Sequence, residues 1–282
     1  MKRIVCAGFL LSLLMLLCMG AAYILSANDS LASTAVSTYV GADWYQAYRP
    51  AVNTFLRGKN PYGANFYNPP WALLFIAPIT ILTPPWDFGL LLFVHFVVFG
   101  IIGIKFGLSP FSFVLALLSY PVLAGMFAGQ IEWLPLLGLI MPPWLGVLFL
   151  MIKPQVGIGV LVYWAIVRFH NDGIIGVCKL FALGAVCLTI SLLLYGFWPG
   201  NMVGLVEREG TGLWPYIAVL GVYLLYRAVA RSSQNSALLA GPCLSPHVWG
   251  YLLTCGVFSV SYSPIMAAFI FCLSWLLIIH GS

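Results

Sequence analysis

The charged residues that could do chemistry in this chain are few, and the chemistry most of them suit is holding an anion. Lys153 stands in an otherwise apolar stretch, where a charge costs roughly 2–3 kcal/mol or more and marks a functional position by default. A phosphate partner would account for it, as would snorkelling or an internal pair with Glu132. Glu132, close after Gln130, could orient hydroxyls or neutralise Lys153. In Glu207-Arg208-Glu209-Gly210, Arg208 could reach a lipid phosphate, although a short charged loop is more often merely solvated.

Water-facing chemistry has its best place in the longest polar stretch, residues 28–68, which contains Asp43. Asp43 is placed to N-cap a helix. Trp44, Tyr48, Val52 and Phe55 follow at helical spacing and predict an apolar stripe lying flat at a membrane surface, with Arg49 and Arg57 available to lipid phosphate. His95 lies on an apolar helix and reads as structural. Asp87, after Pro84-Pro85-Trp86, reads as a helix-start residue on the cytoplasmic side. The seven cysteines form no CxxC pair and no Cys/His cluster, so they read as packing residues, and no metal is expected.

The elements that position these residues follow from the composition. Of 282 residues, 62% are hydrophobic and 7% charged, against roughly 25% charged in an ordinary soluble domain. A bilayer core needs about 20 apolar helical residues, and backbone groups in lipid must bond within their own segment. The expected fold is therefore all-α, a polytopic transmembrane bundle of about 8–10 spans forming a single domain over residues 1–282. The net charge of +5 comes from scattered Lys and Arg, which argues for topology and against a nucleic-acid surface.

Lys2 and Arg3 before the apolar run 4–27 put the N-terminus in the cytoplasm and the 28–68 loop outside. Later spans are expected near 69–82, 86–104, 110–128, 131–141, 144–167, 174–197, 213–226, 237–257 and 259–279, with inner loops at 168–179 and 227–231. Proline pairs at 69–70, 84–85 and 142–143 predict short or broken helices, tolerated where they line a cavity or are buried in protein. Residues 129–133 fall inside by an uninterrupted count, or outside if 131–141 is re-entrant.

Three ordered blocks carry a family resemblance. Asp43 is followed by Gly58-Lys59-Asn60-Pro61-Tyr62 and Tyr67-Asn68-Pro69-Pro70; then come Gly129-Gln130 with Lys153-Pro154, and finally Leu244-Ser245-Pro246-His247-Val248-Trp249. Together they resemble the polyprenol-phosphate-mannose-dependent mannosyltransferases of glycosyltransferase family 87, members of the GT-C class. The resemblance implies that Asp43 is the general base for an acceptor hydroxyl. Its sugar donor would be carried on polyprenyl phosphate, with no metal or other cofactor. Lys153, His247, Arg49, Arg208, Gln130 and Glu132 would hold donor phosphate or substrate, with Asp43, Lys153 and His247 converging on one outward-facing cavity. For His247, a buried imidazole bonded to a carbonyl is the competing account.

The implied setting is a bacterial inner membrane, with membrane lipid and the lipid-linked sugar as partners and a membrane protein complex as a further one. The chain is shorter than typical members of that family. This opens the alternative of a non-catalytic accessory subunit, while the broken helices and the lysine in an apolar stretch also suit a lipid or sugar transporter.

Overall fold

The structure is a computed structural model describing residues 13–24, 40–63, 65–201, 214–246 and 250–281. Every regular element among the described residues is helical, as expected for an apolar chain whose backbone groups must be satisfied within each segment. Two helices, Trp86–Lys105 and Pro154–Tyr195, are long and apolar enough to cross a membrane. The pair Pro110–Leu118 and Tyr120–Ala128, bent by 60°, makes a third if counted as one span. The other apolar helices are shorter.

The chain divides into two compact units. The first takes in Met1–Phe66, Leu73–Val98 and Met126–Gln130, and the second Tyr67–Ala72, Phe99–Gly125 and Ile131–Ser282.

In the first unit, α1 (Leu13–Ile24) runs antiparallel to the start of α4 (Trp86–Lys105). Tyr23 stacks on Trp86 with ring centroids 5.8 Å apart. One turn along, a side chain at Gly89 would meet the Met19 Cα at 2.9 Å, so only glycine lets the two backbones come this close. The end of α1 and the start of α4 therefore share one end of the unit. Among the described residues between them, a π-helical turn, Trp44–Tyr48, continues into α2 (Arg49–Leu56).

This arrangement corrects several sequence expectations. Asp43 is helical and makes no side-chain capping bond. Trp44, Tyr48 and Val52 are buried, so the apolar stripe faces protein and does not lie on lipid. Asp87 accepts from Trp44 Nε1 at 2.8 Å and Tyr45 Oη at 3.1 Å, which puts it on the side of the 28–68 loop, not the opposite one.

The segment 69–82 does not cross either. Before it, Phe66 packs edge-on against Tyr48 at 6.4 Å; after it, the Leu82 carbonyl accepts from Arg49 at 3.1 Å. Between these anchors α3 (Ala72–Ile81) is too short, at roughly 1.5 Å per residue, for a core of about 30 Å.

Helix α4 leaves this end, and the chain returns to it through α5 (Pro110–Leu118) and α6 (Tyr120–Ala128). The return is fixed by the Gly41 amide, which donates to the Phe127 carbonyl at 2.6 Å. Gly129 and Gln130 thereby lie next to the described part of the loop, at Gly41 and Asp43.

The second unit is built on a short hairpin. Helix α7 (Trp133–Gly138) and α8 (Pro143–Leu150) are each far below the length of a crossing. They pack so closely that a Cβ on Gly138 would meet the Phe149 Cβ at 2.7 Å. Lys105 donates to the Leu139 carbonyl at the hairpin turn. Two polar side chains tie earlier residues to the hairpin's second arm: Trp71 Nε1 donates to the Leu148 carbonyl at 3.1 Å and Asn68 Nδ2 to the Ile152 carbonyl at 3.0 Å.

The expected span 144–167 is thus two elements, broken before Pro154, where α9 (Pro154–Tyr195) begins. The expected loop 168–179 is helical, interrupted only at Gly173, whose φ of 64° suits a residue without a Cβ. Helix α10 (Tyr216–Ala230) and α11 (Gln234–Leu244) are followed by a break, so 237–257 is not a continuous helix. Helix α9 meets α11 through glycines: a side chain at Gly159 would strike the Ala237 carbonyl, and one at Gly241 the Val156 carbonyl. The chain resumes in α12 (Thr254–Val260) and α13 (Pro264–Gly281). Helix α13 also serves the bend between α5 and α6, where Ser274 Oγ accepts from the Tyr120 amide at 3.2 Å and Trp275 Nε1 donates to the Leu118 carbonyl at 3.0 Å. Backbone groups freed by a broken helix are satisfied here by a neighbouring one.

Candidate functional site

Asp43 is half-buried in the first turn of its helix, and its carboxylate accepts from Gln130 Nε2. Gln130 is buried and its Oε1 accepts from Tyr48 Oη at 2.9 Å. A carboxylate can only accept and a phenol has a proton to give, so this order places the amide with its NH2 toward Asp43.

Two glycines make the approach possible. Gly129 has φ +78°, and a Cβ there would meet the Trp44 Cβ at 2.6 Å; Gly41 has φ +70°, and a Cβ there would meet the Tyr45 ring at 2.8 Å. The left-handed backbone at both positions favours glycine. Behind the phenol, Phe66 is buried against Tyr48, and Tyr62 packs on Phe66 with centroids 5.6 Å apart. The Asn60 side chain accepts from the Tyr62 amide at 3.0 Å, turning the chain so that Tyr62 reaches this wall.

In the same unit, Asp87 is fully buried. Besides Trp44 and Tyr45 it pairs with Arg49, and its own Oδ1 accepts from the Phe88 amide at 2.9 Å. This many donors satisfy a buried carboxylate. Burial first, then the Asp87 carboxylate, pushes the Tyr45 phenol well above its ordinary value, with Arg49 working the other way. Tyr45 therefore stays protonated and remains a donor. Arg49, expected to face a lipid phosphate, is committed to Asp87 and the Leu82 carbonyl.

In the second unit, Lys153 and Glu132 form a buried ion pair, one of the two pairings the sequence suggested for Lys153. The pair closes the base of the α7–α8 hairpin, because Glu132 precedes Trp133 and Lys153 precedes α9. The ammonium also lies over the Tyr251 ring, 5.1 Å from its centroid, a cation–π contact. A side chain at Gly125 would sit 3.6 Å from Glu132 Oε2 and 3.3 Å from the Tyr251 Cβ, so glycine leaves room for this cluster. Tyr251 was not singled out in the sequence; its only signal was its place just beyond the Ser245-Pro246 block.

Asp43 and Gln130 belong to the first unit, and Glu132 and Lys153 to the second. His247 and Arg208 lie outside the described residues. His95 is buried with Nδ1 2.9 Å from the Leu91 carbonyl, the structural role read from the sequence. Compared with known proteins, the chain matches no family model, no curated protein and no solved structure.

Proposed function

We propose that this protein is a membrane-embedded inverting glycosyltransferase of GT-C type that moves a sugar, mannose by resemblance, from a polyprenyl-phosphate donor to an acceptor hydroxyl on the extracytoplasmic side. The observation that carries the reading is the bond between Asp43 and Gln130. These residues come from two of the separate sequence blocks on which the resemblance rests, 87 positions apart, and in the folded chain they touch.

In this mechanism the Asp43 carboxylate takes the proton of the acceptor hydroxyl, because a hydroxyl is a poor nucleophile until a base accepts that proton. The acceptor oxygen forms a bond to the anomeric carbon from the face opposite the phosphate. The bond from that carbon to the phosphate oxygen breaks, its electron pair leaves with polyprenyl phosphate, and the configuration inverts. Negative charge gathering on the departing phosphate calls for cations or N–H donors. Lys153, Arg208 and His247 are proposed for that task, with Glu132 near substrate hydroxyls. The protein is proposed to sit in a bacterial inner membrane with its N-terminus in the cytoplasm.

A second reading, an accessory subunit that binds lipid-linked sugar without transferring it, is favoured by one feature. Both Arg49 and Lys153 are bound to carboxylates, and a donor phosphate would have to compete with them.

Membranes holding wild-type protein or the Asp43→Asn variant, given labelled polyprenyl-phosphate-mannose, separate the readings. Transfer that falls at least about a hundredfold in the variant at equal protein level is expected, within the usual contribution of a general base. No transfer by wild type over a range of lipid-linked donors would sink the enzyme and leave the accessory reading.

A further inference from the structure

We infer that Tyr48 and Gln130 act as positioning residues, a two-step relay that fixes the orientation of the Asp43 carboxylate. The inference rests on the reading of Asp43 as the base. It also reassigns Gln130, which the sequence suggested as a substrate ligand.

The relay runs from the interior outward. Tyr48 is 5% exposed and Gln130 4%, whereas Asp43 is only half-buried. The phenol donates to the amide oxygen at 2.9 Å, and the amide nitrogen donates to the carboxylate. Rotating the Gln130 amide by half a turn would set a carbonyl oxygen against a carboxylate and an NH2 against the phenol. The carboxylate, which can only accept, therefore sets which way the amide points, and the Tyr48 proton given to the amide oxygen braces it in that orientation. The phenol ring is held by Phe66, and the approach of residue 130 to the helix of Asp43 depends on Gly129 against Trp44.

Both residues of the relay are uncharged, so the amide that donates to Asp43 gives the carboxylate a direction and brings no charge of its own. Orienting a base within hydrogen-bond reach of the proton it takes is worth as much as its basicity.

The test uses the full-length protein in detergent or native membranes and reads Asp43 in two ways. The first is modification of Asp43 by a water-soluble carbodiimide with glycine amide, followed by mass spectrometry across pH. The second is transfer of labelled sugar. Tyr48→Phe keeps the ring on Phe66 and removes only the hydroxyl. It is expected to retain the wild-type thermal midpoint within a few degrees, to label Asp43 several-fold faster, and to lower kcat about tenfold at little-changed KM. Gln130→Glu sets a second carboxylate against Asp43 and is expected to raise the labelling midpoint by about one pH unit, whereas Gln130→Asn, too short to reach, is expected to behave like Gln130→Ala.

Unchanged labelling rates in Tyr48→Phe together with an unchanged midpoint in Gln130→Glu would overturn the relay, as would an Asp43 that labels at no pH in wild type. If wild type transfers no sugar, the transferase reading falls, and the labelling still decides whether the relay holds Asp43.

Discussion

The first unit and the second each hold a carboxylate with a side-chain donor, yet the donors differ in charge. Around Asp43 the donor is a neutral amide, itself braced by a phenol; around Glu132 it is the Lys153 ammonium. A carboxylate bound to an ammonium has its charge cancelled in place and resists both protonation and departure. An amide donor gives a carboxylate a direction and adds no charge of its own. Asp87, in the same unit as Asp43, shows the first pattern again, with Arg49 as its cation. Of the three, Asp43 is the one that combines partial exposure with a bond from a neutral amide.

The comparison breaks most completely if the polar cluster of the first unit does not lie on one side of the membrane. Lys59 and Thr83 are both exposed, and they flank the segment that turns back at α3. Single cysteines at Lys59→Cys and Thr83→Cys are expected to react with an impermeant maleimide from the same side, with labelling of each complete there and background from the opposite side. Opposite-side labelling would mean that residues 69–82 cross after all, and that Asp87 cannot meet Trp44 and Arg49.

That result would also test how far the sequence could be read. Helical class was legible because apolar runs separated by proline pairs have few other solutions in lipid. The pairing of Lys153 with Glu132 was legible as one of two options, because two isolated opposite charges in an apolar region have few other partners. Span boundaries were not. Hydropathy does not register the break at residues 151–153, since Met151 and Ile152 are as apolar as the helices on either side, nor the helical course through Arg168, Asp172 and Lys179, whose charges look like a loop.

Counting spans assumes that each apolar run crosses, and α3 is too short to do so. The count separates Asp87 from the 28–68 loop, so its bond to Arg49, 38 positions earlier, is invisible to it. Asp43 and Gln130 were both singled out, but nothing in a single sequence couples residues 87 positions apart.

A smaller but still large effect sharpens the contrast between neutral and charged partners. Lys153→Met leaves Glu132 buried without its cation and is expected to cost about 3–5 kcal/mol, as breaking a buried pair does. The double variant Lys153→Met with Glu132→Gln removes both charges and is expected to recover most of that loss. Denaturant titration in mixed micelles reads both. Equal destabilisation by the single and double variants would mean that the pair acts through packing on Tyr251 and not through charge.

The smallest effect belongs to the pair that looks most like Lys153–Glu132 on paper. Arg168 and Asp172 are four residues apart on α9, with their side chains bonded at 3.2 Å and each about half exposed. The same two charge types meet here, but both remain solvated. Little desolvation is reversed when the contact is lost, and the long arginine side chain regains its rotamers. Arg168→Ala is therefore expected to change stability by no more than about 0.5 kcal/mol, the scale of an exposed helical pair, and to lose even that in high salt. Denaturation in the same micelles at low and high salt checks it. A loss comparable to that of Lys153→Met would mean that this pair is buried in the membrane-embedded protein, and that the turn at Gly173 is held by charge rather than by the glycine's backbone.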